Sequence, residues 1–239
     1  MNREERARQA AESARFRLGA TPGRIDVFEA IKRLDVRLLR YPVPNNALEG
    51  AYLRSRGVAY VLVNTNVVPV RQRFTAAHEL GHHFLHPDQD LEHYDADLLL
   101  PEDWLSNRFA AHFLMDEATV RQAAAAESDP MRLVLRVRFE LDVSFDAARF
   151  HLCNLGLMTA AESNAVQAAR DEAGSIASLA RSVGLAAPPE PRTDGQTDPG
   201  ADYVAGLREV RDAGFLSDER LAAMLEPYQR RPEEASPPQ

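Results

Sequence analysis

Two histidines one helical turn apart are the residues of this chain best suited to chemistry. They stand in the run His78-Glu79-Leu80-Gly81-His82. In a helix, residues i and i+4 lie one above the other, so both imidazoles can point at one cation. The glutamate between them is then placed beside a water held by that cation, where its carboxylate can accept a proton. The spacing therefore predicts a metal-dependent hydrolase with Glu79 as the base.

The third ligand of such a site must come from elsewhere, because a catalytic zinc takes three protein ligands and keeps one position open. In the metzincin pattern, glycine and histidine stand three and six positions after the second histidine, whereas this chain has Leu85 and Asp88 there. A carboxylate from a second helix is the alternative, and the segment PEDWLSN at 101–107 supplies one. Asp103 and Asn107 share a helix face, so a carboxylate there can reach the metal while Asn107 orients a ligand.

Both segments resemble the ImmA/IrrE-type metallopeptidases. The run RFTAAHELGH at 73–82 is similar to the family pattern RFTxAHELGHxxxH, and SNRFAAHFLM at 106–115 is similar to the second part of ExxANxFAxxLLMP. The resemblance covers about residues 5–158. In that family both histidines and the glutamate four positions before the asparagine bind zinc. That position holds Asp103 here, so the resemblance implies Asp103 as third ligand, with the adjacent Glu102 as second choice.

The resemblance implies a gluzincin-like metalloendopeptidase. Its expected substrate is a helix-turn-helix repressor, whose cleavage would derepress a stress-response or mobile-element regulon. The expected cofactor is Zn2+, and two histidines with a carboxylate also suit Mn2+. Glu79 would take a proton from the attacking water and pass it to the leaving amine. The oxyanion needs a further donor besides the metal, and the nearby candidates are Tyr94, His93 and His86.

Local patterns predict the elements that hold these residues. Helical patterning covers 2–18 and 24–34. Short strands are predicted at 36–41, 50–53 and 58–63. The strand connections are too short for parallel crossovers, so the sheet is expected to be antiparallel. From Pro69 onward the chain is predicted to be helical.

These elements predict an α+β fold. It consists of a mostly helical, zincin-like metallopeptidase domain with a small three-stranded antiparallel sheet, then helix-turn-helix-like helices and a short helical C-terminal appendage. The predicted divisions are a metallopeptidase domain at 1–128, a helix-turn-helix-like region at 129–187, a linker at 188–200, a helical hairpin at 201–229 and a disordered tail at 230–239. The linker is predicted from its proline- and glycine-rich composition, and the tail from its proline- and glutamate-rich composition.

Charge and composition exclude several classes of function. The net charge of -8 argues against a general polyanion binder, because nucleic-acid affinity depends on neutralising phosphates. The arginines of the helix pair 131–155 are nearly balanced by acidic residues, so DNA binding through that pair is not favoured. Cys153 is the single cysteine and excludes an intrachain disulfide. A charged N-terminus and the lack of long apolar runs lead us to expect a cytoplasmic protein that makes no membrane contact.

Two other classes of function fit the same sequence. One is a DNA-binding regulator whose metal is structural. The other is a protein-binding regulator that acts stoichiometrically as an anti-repressor. The substitution Glu79→Gln separates both from a peptidase, because it removes the base and leaves the metal ligands intact.

Overall fold

The computed structural model describes residues 2–42, 48–55, 57–86 and 101–188, together with 207–208, 211–212, 214 and 217–222. The side chains of residues 41, 55, 101 and 102 lie outside this description. The helices are α1 (Arg3–Arg17), α2 (Val27–Arg33), α3 (Pro69–Leu85), α4 (Pro101–Leu114), α5 (Glu117–Ala126), α6 (Pro130–Leu141), α7 (Phe145–Asn154), α8 (Ala160–Ala173) and α9 (Ile176–Ser182). The strands are β1 (Val36–Tyr41), β2 (Gly50–Ser55) and β3 (Val58–Asn64). The described residues are mostly helical with one small sheet, which agrees with the predicted α+β class.

The sheet is mixed, which corrects the predicted antiparallel arrangement. The strand order is β1-β3-β2. β2 runs antiparallel to β3, with Gly50 opposite Val63, whereas β1 runs parallel to β3, with Val36 opposite Ala59. The antiparallel prediction considered only connections between consecutive strands. Because β2 lies at the edge of the sheet, the chain that joins β1 to β3 includes all of β2 and is long enough for a parallel crossover.

Helix α3, which carries both histidines, is anchored where it leaves β3. It begins at Pro69, whose fixed φ and missing N–H suit the first turn of a helix. Gln72 Nε2 donates hydrogen bonds to the carbonyls of Thr65 and Val67, at 3.3 and 2.8 Å. Its Oε1 accepts a 2.7 Å bond from Arg40 Nη2 of β1. The connection from the sheet to α3 is therefore held by side-chain bonds.

Helices α3 and α4 approach closely at Gly81. A Cβ at this glycine would lie 3.1 Å from Ser106 Cα and 3.2 Å from a ring carbon of Phe109. Ser106 and Phe109 are both fully buried. The small residue at 81 thus lets α4 lie directly against the turn of α3 that contains His82.

The buried apolar residues form a core that runs from α1 to α9 and includes Leu80, Phe109, Leu135 and Leu152. This core crosses the predicted boundary at residue 128, and the division into a peptidase domain and a following helical region stays a prediction. In the appendage, 207–208, 211–212 and 218–222 are helical. Residues 189–200 of the predicted linker and the predicted tail at 230–239 lie outside the described residues. Within the described residues, every helix is too short or too polar to span a bilayer.

Candidate metal centre

The two histidines of the motif and Asp103 meet at the contact between α3 and α4. His78 Nε2 and His82 Nε2 are 3.1 Å apart. Asp103 Oδ1 lies 3.8 Å from His78 Nε2 and 3.5 Å from His82 Nε2. The i, i+4 spacing on α3 aligns the two imidazoles, and α4 brings the carboxylate. The structure therefore brings the three predicted ligands together.

Glu79 lies beside this group, and its two carboxylate oxygens have different surroundings. The side chain is buried, and one oxygen accepts a hydrogen bond from the backbone N–H of Tyr52. Among the described residues, Oε2 has no hydrogen-bond partner. Burial, and next the negative charge of Asp103, raise the pKa of Glu79 to about 8. A buried carboxylate with one free oxygen can exchange a proton near neutral pH.

Burial keeps both histidines in the neutral form that metal binding requires. It lowers the pKa of His82 to about 3, with a further contribution from the neighbouring His78 and His86. Burial also lowers the pKa of His78. His78 Nδ1 lies 2.9 Å from Asn107 Oδ1. Because an amide oxygen only accepts hydrogen bonds, Nδ1 carries the proton and Nε2 presents its lone pair to the centre.

The distances fit a small tetrahedral cation. Zinc–ligand bonds of about 2.0–2.1 Å place neighbouring ligand atoms of a tetrahedron about 3.3 Å apart. The three separations here are 3.1, 3.5 and 3.8 Å. Nitrogen and carboxylate oxygen are also donors that zinc accepts. His78, Glu79 and His82 moreover offer ligand atoms that all lie within 4.8 Å of one another.

Comparison with known proteins identifies the family of this chain. The family model Peptidase_M78, described as the IrrE N-terminal-like domain, matches residues 31–152, which include α3, α4 and the candidate centre. The chain belongs to the Peptidase_M78 family. The resemblance inferred from the motifs at 73–82 and 106–115 is thereby confirmed.

One relative of the Peptidase_M78 chain is the radiation response metalloprotease IrrE of Deinococcus deserti. The two are 33% identical over an alignment of 155 positions, which covers 60% of this chain and 54% of the relative. The chain therefore spans about half the length of the curated relative it matches.

The predicted oxyanion donors have different positions in this Peptidase_M78 chain. His86 is the C-cap residue of α3, and its ring centroid lies 5.8 Å from that of His82. Tyr94 and His93 lie outside the described residues, as does the side chain of Glu102, the second choice for third ligand.

Tyr52 and His83 also lie at the site, although the motifs do not predict them. Tyr52 OH lies 3.1 Å from His83 Nδ1, and the two rings meet edge to face with centroids 5.8 Å apart. His83 is one helical turn beyond Glu79, which accepts the Tyr52 backbone bond. The sequence carries one signal for this contact, the period-2 alternation of β2, which places Gly50 and Tyr52 on the same face.

The predicted helix-turn-helix region places its arginines in internal contacts. Arg132 bonds Glu127 and the carbonyl of Val183, and Arg149 bonds Ser163 and Asp146. Arg138 donates to the carbonyl of Val143, and Arg136 lies 3.8 Å from Glu140. These bonds favour a packing role for α6 and α7, and DNA binding through 131–155 stays a prediction.

Proposed function

We propose that this protein is a zinc-dependent metalloendopeptidase that hydrolyses a peptide bond in a protein substrate. The observation that carries the proposal is a group of three ligand atoms. Two histidine nitrogens lie 3.1 Å apart, and a carboxylate oxygen lies 3.8 and 3.5 Å from them. Beside this group is Glu79 Oε2, which has no hydrogen-bond partner among the described residues. His78, His82 and Asp103 would hold the metal. When bound, zinc supplies a Lewis acid that polarises a carbonyl and lowers the pKa of a water. The same donors suit Mn2+.

Glu79 is the proton carrier in this proposal. Its bond from the Tyr52 backbone occupies one oxygen, which leaves Oε2 to take a proton from the attacking water and deliver it to the leaving amine. Of the three candidates for stabilising the oxyanion, His86 is the one that lies within the described residues.

The edge strand β2 presents backbone groups on the side of Glu79. Glu49 O accepts a bond from Asn64 N, so odd-numbered residues around β2 bond towards β3. In an antiparallel strand the alternate residues, Gly50, Tyr52 and Arg54, then direct their backbone groups to the outer edge. The N–H of Tyr52 is already donated to Glu79. Main-chain pairing of an extended substrate segment with this edge would therefore be limited to its other backbone groups.

A helix-turn-helix transcriptional repressor is the substrate class we propose, with derepression of a stress-response or mobile-element regulon as the result. The support is the family resemblance and the relative whose name describes a radiation response. The division of the chain into a peptidase domain at 1–128, a helical region at 129–187 and an appendage belongs to the same proposal, as does a cytoplasmic site of action.

The test compares the wild-type protein with Glu79→Gln, both loaded with zinc. Each is incubated with the soluble proteome of the source organism, and new protein N-termini are identified by mass spectrometry. We expect cleavage by the wild type, concentrated in a helix-turn-helix regulator, and none by Glu79→Gln. Elemental analysis should find equal zinc in both proteins.

Two outcomes would overturn the proposal. Equal cleavage by both proteins would remove Glu79 from the reaction. Relief of repression by Glu79→Gln in cells, without cleavage by either protein, would instead support a stoichiometric anti-repressor with a structural metal.

A further inference from the structure

Strand β2 is bonded to helix α3 at two points through one residue. The backbone N–H of Tyr52 donates to the carboxylate of Glu79, and the Tyr52 hydroxyl lies 3.1 Å from His83 Nδ1. Glu79 and His83 are one helical turn apart on the same face of α3. Tyr52 is 8% exposed, so both contacts are made largely away from water.

The close approach of β2 to α3 depends on Gly50, which lies two residues before Tyr52 on the same face of the strand. A Cβ at Gly50 would lie 2.3 Å from Thr75 Cγ2 and 3.0 Å from Glu79 Oε1. The glycine therefore lets the strand lie directly on α3, with Gly50 against Thr75 and Glu79, and Tyr52 against Glu79 and His83. The repeats of the two elements are similar in length, because two residues of a strand cover about 6.6 Å and one turn of helix about 5.4 Å.

This packing holds the carboxylate of Glu79 in one orientation. Its Oε1 faces β2, and Oε2 is the oxygen without a hydrogen-bond partner among the described residues. A glutamate side chain has several rotamers, and its base function depends on presenting one oxygen to the reacting water. The hydrogen bond from the Tyr52 N–H limits the Glu79 side chain to one rotamer only while β2 keeps its position along α3.

We propose that Tyr52 is a positioning residue for the reaction, and this inference rests on the proposed peptidase function. Its hydroxyl bond to His83 holds β2 in the register at which its N–H fixes Glu79, so that Oε2 faces the centre formed by His78, His82 and Asp103. Tyr52 and His83 then act as one unit, and neither needs to touch the substrate.

The test uses the full chain loaded with zinc and four variants: Tyr52→Phe, His83→Leu, the double variant, and His83→Asn. Asparagine at 83 can accept or donate the bond to the tyrosine hydroxyl, so it is the conservative control. The kinetic substrate is a peptide that spans the cleavage site mapped with wild-type protein. Zinc content and Tm are measured for each variant, and amide hydrogen exchange at residue 52 is measured by NMR.

We expect Tyr52→Phe and His83→Leu each to lower kcat about 10-fold with KM changed less than about 2-fold, since small misplacements of a reacting group cost rate rather than binding. The double variant should be no slower than either single variant, because the two residues form one unit. His83→Asn should retain most of the wild-type kcat. The amide of residue 52 should exchange at least about 10-fold faster in the first three variants and not in His83→Asn.

Multiplicative losses in the double variant, a change in KM alone, or an amide exchange rate that does not respond would overturn the inference. A loss of kcat that merely follows zinc content or Tm would also overturn it. Amide exchange can be measured without catalysis, so it separates failure of this inference from failure of the proposed peptidase function. If only the peptidase function is wrong, the amide of residue 52 exchanges as expected in every variant while the wild type shows no zinc-dependent cleavage.

Discussion

At the scale of single residues, the amide of Asn107 sets which nitrogen of His78 carries a proton. Its Oδ1 lies 2.9 Å from His78 Nδ1 and can only accept a hydrogen bond. Asn107→Ala removes this acceptor, and loss of such an outer partner typically lowers metal affinity about 10- to 100-fold. We expect a fall of that size for zinc, measured by competition with a chromophoric chelator.

The matched control is Asn107→Asp, which keeps an acceptor oxygen at the same distance from the backbone. It should bind zinc within a few-fold of the wild type, because the orienting bond to His78 is retained. If Asn107→Ala binds zinc as tightly as the wild type, the amide does not orient His78.

Asp103 and Glu102 are the two candidates for the third ligand, and they stand next to each other in the sequence. The Asp103 carboxylate lies 3.5 Å from His82 Nε2. We expect Asp103→Ala to weaken zinc binding by more than the roughly 100-fold limit for outer partners, since it removes a ligand. Glu102→Ala should keep its zinc. The zinc content of both variants is measured by elemental analysis after dialysis. Zinc kept by Asp103→Ala and lost by Glu102→Ala would make Glu102 the ligand.

At the scale of elements, the sequence was informative where structure is local. The i, i+4 pair on α3 and the shared face of Asp103 and Asn107 follow from helical periodicity alone. The order of the strands and the contact of Tyr52 with α3 could not be read in this way. They depend on which edge of β3 the second strand occupies, and that choice is made by packing between residues distant in sequence.

The packing of β2 on α3 makes Gly50 sensitive to the smallest side chain. A methyl group there would meet Thr75 Cγ2 at 2.3 Å. Gly50→Ala should therefore lower the free energy of unfolding by about 1–3 kcal/mol, the usual cost of overpacking, as measured by urea denaturation. Adding Thr75→Ser removes the opposing methyl group and should recover part of this loss. A Gly50→Ala protein as stable as the wild type would show that the strand does not lie so close.

At the scale of the whole molecule, a second histidine pair joins α7 to α4 and α1. His151 Nε2 lies 3.0 Å from the carbonyl of Met115, and its ring contacts that of His112 with centroids 5.0 Å apart. His112 Nε2 in turn lies 2.9 Å from a carboxylate oxygen of Glu4. Burial, and next the neighbouring His112, lower the pKa of His151 to about 3.

This depressed pKa makes the fold sensitive to acid. The unfolded chain takes up a proton at His151 below about pH 6.5 and the folded chain does not, so stability is present above that pH and lost as the pH falls towards 3. Between pH 7 and 5 the loss from this residue is about 2 kcal/mol. His151→Gln keeps a donor for the Met115 carbonyl and does not titrate. Urea denaturation of the metal-free proteins should show a smaller acid loss for this variant, and equal losses would contradict the assignment.

Arg73 ties the helix of the candidate centre to the region beyond residue 128. It is buried on α3, and its guanidinium donates to the carbonyls of Asp142, Leu141 and Ile25 at 3.0, 3.3 and 3.1 Å. It also lies 3.4 Å from the Asp142 carboxylate. The end of α6 is therefore bonded to the helix that carries His78, across the boundary predicted from sequence.

These bonds and the shared core lead us to expect one cooperative unfolding transition for both regions. Trp104, the single tryptophan, reports on α4 by fluorescence, while circular dichroism also follows the helices after residue 128. The two signals should change at the same urea concentration. Arg73→Met should shift both midpoints together and cost about 2–4 kcal/mol, because it leaves buried carbonyls without a donor. Separate midpoints in the wild type, or a shift in only one signal, would show that the division at residue 128 separates two folding units.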